Sequence, residues 1–103
     1  MINVIIYLDK VNNAKDLVEI LLKDGLIANA SIDNDNISYR IENDTMIKNV
    51  NCVITAQTKS LLFSLIENYI NERYGFHVQI YSVPITQANN SFDTLIRNST
   101  KKI

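Results

Sequence analysis

The stretch Ile37-Ser38-Tyr39-Arg40-Ile41-Glu42-Asn43-Asp44-Thr45-Met46, continuing to Ala56, decides the fold. Ile37, Tyr39 and Ile41 alternate with Ser38, Arg40 and Glu42, the period-two pattern of a strand. Asn43-Asp44 supplies two residues that tolerate the left-handed backbone of a tight hairpin turn. The return strand runs from about Met46 to Ala56 and carries Val50, Cys52, Ile54 and Ala56 on one face. A long hairpin therefore lies at the centre of the chain.

On its N-terminal side, Asp33-Asn34-Asp35-Asn36 is turn chemistry, because Asn and Asp bond their own backbone. Its resemblance to a calcium loop ends at Ile37, where the next ligand should stand. Leu26, Ala28, Ala30 and Ile32 alternate with Ile27, Asn29 and Ser31 as a strand. Gly25 falls where a helix needs a left-handed residue to stop. The helix before it carries Leu17, Val18, Leu21 and Leu22 on one face, with Asn12 or Asn13 as its cap. Ile2 to Leu8 is a β-branched, buried strand.

On the C-terminal side, Thr58 is expected to cap a second helix with an apolar stripe of Leu61, Leu62, Leu65, Ile66, Tyr69 and Ile70. Gly75 ends it. Phe76 to Val83 forms a last strand, closed by Pro84 where a missing N–H is tolerable. Ser91 opens a short amphipathic segment with Phe92, Leu95 and Ile96. The order β-α-β-β-α-β implies an α+β, ferredoxin-like sandwich with an extended central hairpin and a short C-terminal helix. A single domain spans residues 1–97, and residues 98–103 form a polar tail expected to fray.

Composition narrows the function. The 103 residues include 10 Lys+Arg and 11 Asp+Glu, a net charge of −1. No basic excess exists to neutralise a phosphate backbone, so nucleic-acid binding is not expected. No apolar run is long enough to span a bilayer, and Met1 to Asp9 lacks a basic n-region and a long apolar run, so no signal peptide is expected. One cysteine, Cys52, permits no internal disulfide and fits a reducing cytoplasm. With one histidine, His77, no Ser-His-Asp arrangement or closed zinc site can be argued within a chain. No enzyme is expected. A protruding hairpin with Ile37, Ile41 and Ile47 exposes edges and apolar surface, which small proteins cover by self-association.

Four segments then resemble the CutA divalent-cation-tolerance family, within the PII-like superfamily. Leu21-Leu22-Lys23-Asp24-Gly25-Leu26-Ile27-Ala28-Asn29 is similar to its LLxxGLAAC segment. Tyr39-Arg40-Ile41-Glu42 is similar to its YxWEG hairpin, and Thr58 to the segment after its IKTT motif. Ser82-Val83-Pro84-Ile85 with Asn89-Asn90-Ser91-Phe92-Asp93-Thr94-Leu95-Ile96 resembles its LPV…GNxxYLxWL ending. The resemblance implies a homotrimer and a role in divalent metal ion tolerance, copper included, with a small molecule or protein bound at inter-subunit clefts. By resemblance the cleft residues are Tyr39, Arg40, Arg73, Tyr74 and Gln79. Each has a simpler reading as interface packing, solvated charge or ordinary strand residue. The family cysteine of GLAAC is Asn29 here, the tryptophan of YxWEG is Ile41 and the lysine of IKTT is Ala56. No family metal ligand is carried over, and His77 is left as a weak metal candidate outside the matched positions.

Overall fold

A computed structural model describes residues 1–10 and 12–102. β1 (Ile2–Asp9), α1 (Ala14–Lys23), β2 (Asn29–Glu42), β3 (Thr45–Thr58), α2 (Phe63–Tyr74), β4 (Gln79–Pro84) and α3 (Asn90–Ser99) follow in order, with a 3₁₀ turn at Ser60–Leu62 before α2. The four strands form one antiparallel sheet in the order β2-β3-β1-β4. This is the ferredoxin-like arrangement, with β1 and β3 central.

One sheet face carries the core. Ile2, Val4, Ile6 and Leu8 of β1 and Cys52, Ile54 and Ala56 of β3 meet Leu17 and Leu21 of α1 and Ile66 and Ile70 of α2, all buried. Asn13 caps α1, its Oδ1 accepting from the Asp16 N–H at 3.2 Å. Gly25 (φ 69°) and Gly75 (φ 97°) follow the two helices in the left-handed region. Asn43 and Asp44 also have positive φ, which makes their two-residue turn match the strand twist.

Several expectations are corrected, among them the strand expected from Phe76, which begins only at Gln79. Asp33-Asn34-Asp35-Asn36 is not a turn between two strands but a bulge inside one continuous β2. Asp33 pairs with Val53 and Asn36 with Asn51, so β2 carries one extra residue. That residue resets the alternation, and Ile32 and Ile37 share a face although they are five apart. The local Asx bond survives, with the Asp35 N–H donating to Asp33 Oδ1 at 3.1 Å. Thr58 does not cap a helix. It ends β3 fully buried, and its hydroxyl donates to the Leu26 carbonyl at 2.6 Å. Finally, α3 runs to Ser99 and Thr100 is buried, so the chain end is tied down. The Lys101 N–H donates to the Gly25 carbonyl at 2.8 Å, and Lys59 Nζ to the Lys101 carbonyl at 2.8 Å. Ile103 of the expected tail lies outside the described residues.

β1 ends opposite Asn51, so the hairpin from Asn36 to Asn51 continues as a two-stranded arm. Fourteen residues per strand span roughly 47 Å at about 3.4 Å each, matching the molecule's 47 Å long axis. Among the described residues, the buried contacts of α1 and α2 stop short of the arm. Ile37, Tyr39, Ile41, Met46 and Val50 are therefore 44–67% exposed. Val50 shares the face of Cys52, Ile54 and Ala56 but lies beyond the core.

Candidate functional site

The opposite sheet face lies away from α1 and α2. At the end of the sheet away from the arm, the Asn29 amide donates to Gln57 Oε1 and the Gln57 amide to Asn3 Oδ1, each at 2.9 Å. Three strands are thereby linked by side chains. Tyr7 stacks on Tyr81 with ring centroids 6.3 Å apart.

A cleft of about 360 Å³ opens where this face meets the arm. It is lined by Tyr7 and Asp9 at the end of β1, Asn49 and Asn51 of β3, Arg40 of β2, and His77, Val78 and Gln79 leading into β4. The strand register builds it. Tyr7 faces Gln79, Asp9 faces Asn51 and Asn51 faces Asn36, so their side chains share the outer face. Arg40 reaches in from further along the arm, with Nε donating to Glu42 Oε1 at 2.8 Å. Asn51 Oδ1 accepts from the Asn36 amide at 2.9 Å.

The structure thus brings together three of the six residues singled out by sequence: Arg40, Gln79 and His77. His77 stands in the turn before β4, not within the strand, and its ring backs onto Gly75. Tyr39 points to the other face of the arm, opposite Lys48, because successive strand residues alternate. Arg73 and Tyr74 end α2 and are absent from the cleft lining. Arg73 Nη1 donates to the Tyr69 hydroxyl at 3.0 Å, and its guanidinium lies 5.5 Å from the Tyr74 ring centroid. Sequence reading missed Tyr7, Asp9, Asn49 and Asn51. Their only local signal is that they occupy the outward phase of strands whose inward phase is apolar.

Burial pushes the Tyr74 phenol above its usual 10.0, although Arg73 pulls it down. Hydrogen bonding with Tyr81, then burial, raises Tyr7 likewise. A raised phenol binds its proton more tightly folded than unfolded. Its stabilising contribution is complete below pH 10 and is lost as pH rises through the raised value. Chemical denaturation across about pH 9 to 12 should show stability falling with pH, and a smaller fall in Tyr74→Phe. Equal falls would show that Tyr74 does not contribute.

Among the described residues, no three His, Cys, Asp or Glu side chains group as a metal site. The cleft offers one carboxylate, one imidazole and neutral amides, beside a guanidinium that repels a dication. One imidazole and one carboxylate, with no thiolate, are too few donors within a single chain to hold copper or a soft metal. Cys52 is buried elsewhere, with Sγ 3.6 Å from Asn34 Oδ1.

Comparison with known proteins agrees with the architecture. The CutA1 protein of Pyrococcus horikoshii superposes with a TM-score of 0.86 at 19% identity, over 99% of this chain and 100% of that one. The divalent ion tolerance protein CutA1 of Ehrlichia chaffeensis gives 0.86 at 24% identity, covering 98% and 95%. The periplasmic divalent cation tolerance protein CutA of Archaeoglobus fulgidus gives 0.85 at 18% identity, covering 98% and 100%. At these identities the likeness establishes the fold. No curated protein matched the chain. The model of the CutA1 divalent ion tolerance protein family matches residues 2–99, nearly the whole sequence. With its ferredoxin-like sheet and long arm, the chain belongs to the CutA1 divalent ion tolerance family.

Proposed function

We propose that this family member acts in divalent-ion tolerance as a non-catalytic, cytoplasmic homotrimer that takes a small ligand or partner at clefts closed by a neighbouring subunit. The observation that carries this reading is the cleft itself. Asp9, Asn49, His77 and Gln79 accept or donate no side-chain hydrogen bond among the described residues, yet they converge on one concavity. The uncovered apolar face of the arm, on the side opposite the cleft, supports association, since exposed surface of this kind marks interaction sites. No helix among the described residues is long and apolar enough to cross a membrane.

A thermal-shift screen of metal ions and small metabolites tests the reading. At least one compound should raise the melting temperature of the wild type and lose that effect in Asn49→Ala/Gln79→Ala. A screen in which nothing moves the melting point contradicts it.

A second reading is a structural or protein-interaction trimer that has lost metal binding. The guanidinium of Arg40 in a cleft poor in metal donors favours the metal-loss part of it. Both readings make one prediction for copper. Calorimetric titration of copper should give weak heats that are the same in wild type and His77→Ala. Stoichiometric, His77-dependent heats would restore a metal site, in which three symmetry-related imidazoles meet.

A further inference from the structure

We propose that the cleft binds a small zwitterion of the amino-acid class, with Asp9 holding the ammonium and Arg40 the carboxylate. This rests on the cleft being a ligand site. It goes further by reading the ligand's chemistry from the groups left free.

The two charges in the cleft are of opposite sign and are not paired with each other. Asp9 has no ion-pair partner among the described residues. Arg40 spends only Nε on Glu42, which leaves its two terminal nitrogens without a partner among the described residues. Those nitrogens present the planar fork that recognises a carboxylate. Along the arm, Arg40 sits four residues beyond Asn36, the residue on the rung of Asp9, roughly 13 Å at 3.3 Å per residue. Arg40 and Asp9 nevertheless line one cleft, the Arg40 side chain covering part of that span and leaving the rest to a small molecule. A molecule lying between the two charges therefore meets a cation at one end and an anion at the other.

Between them lie the amides of Asn49 and Gln79, each able to donate and accept. The half-buried Tyr7 and the buried Val78 add an apolar wall for a side chain. A simple anion is opposed by Asp9, and a dication by Arg40. A neutral sugar would leave both charges unmatched. Of these ligand classes, the zwitterion is the one that matches both charges of the lining.

The test is a thermal-shift panel on the full-length protein, followed by calorimetry. The probes are the free α-amino acids and γ-aminobutyrate, with propionate and ethylamine as single-charge controls. At least one zwitterion should bind with one site per chain, and neither control should. Asp9→Asn and Arg40→Gln should each weaken that binding about tenfold or more, since each removes a charged hydrogen-bond partner. Glu42→Gln should strengthen it, because it removes the competitor for the Arg40 guanidinium. Unchanged circular-dichroism melts of the three free variants would show that the fold is intact. Failure of every zwitterion at millimolar concentration overturns the proposal, as does binding indifferent to both Asp9 and Arg40. If another compound binds through Asn49 and Gln79 while all zwitterions fail, the ligand class falls and the cleft stands. If no compound binds, both fall.

Discussion

An Ile54→Ala variant is expected to lose about 2–5 kcal/mol of folding stability. Ile54 is fully buried at the centre of β3. It lies opposite Ile6 on β1 and Ile32 on β2, so its side chain joins three strands beneath the helices. Truncation removes the transfer free energy of the lost carbons and leaves a cavity that central strands cannot collapse to fill. Urea unfolding at one fixed protein concentration reads the loss as a lower midpoint with an unchanged slope. A loss below about 1 kcal/mol would mean that the site repacks, and that the core is looser than its burial implies.

The next largest effect belongs to a residue with no side chain. Gly75→Ala should cost about 1–3 kcal/mol, because φ 97° and ψ 170° is a conformation that essentially only glycine adopts. A Cβ there would also stand 3.1 Å from His77 Nδ1. The substitution therefore strains the exit of α2 and displaces an imidazole that lines the cleft. Denaturation measures the first effect, and the chemical shift of the single His77 ring measures the second. Wild-type stability with an unmoved His77 resonance would show that the turn relaxes freely.

Most of the fold was legible because its determinants are local. A β-branched run marked β1 and alternation marked β3, while Asn12 or Asn13 and Gly25 bounded α1. Asn43-Asp44 marked the arm's turn. What was misread depends on partners distant in sequence. Asp33 to Asn36 has turn chemistry, and it becomes a bulge because β3 pairs with β2 on both sides of it. Thr58 has a helix-capping side chain, yet its hydroxyl is claimed by Leu26, 32 residues earlier. Thr100 and Lys101 read as a frayed end, but Gly25 and Lys59 hold them.

The cleft was half legible for the same reason. Resemblance pointed to Arg40 and Gln79, and a lone histidine drew notice to His77. Tyr39, beside Arg40 in sequence, was grouped with it, although strand alternation sends the two to opposite faces. Tyr7, Asp9, Asn49 and Asn51 become neighbours only through the β1–β3 register, which no local pattern specifies. The cleft also explains why composition alone was uninformative. A net charge of −1 conceals one free carboxylate and one guanidinium held in the same concavity.

The central claim is that this chain functions as an assembly, with the arm's apolar face and the cleft completed by neighbouring subunits. Light scattering on the eluting protein at micromolar concentration tests it most directly. The account predicts a single species of three chains of 11.8 kDa each, reduced to one chain in Ile41→Asp/Met46→Asp, which charges the arm's exposed face. A wild-type protein that elutes with the mass of one chain would contradict it.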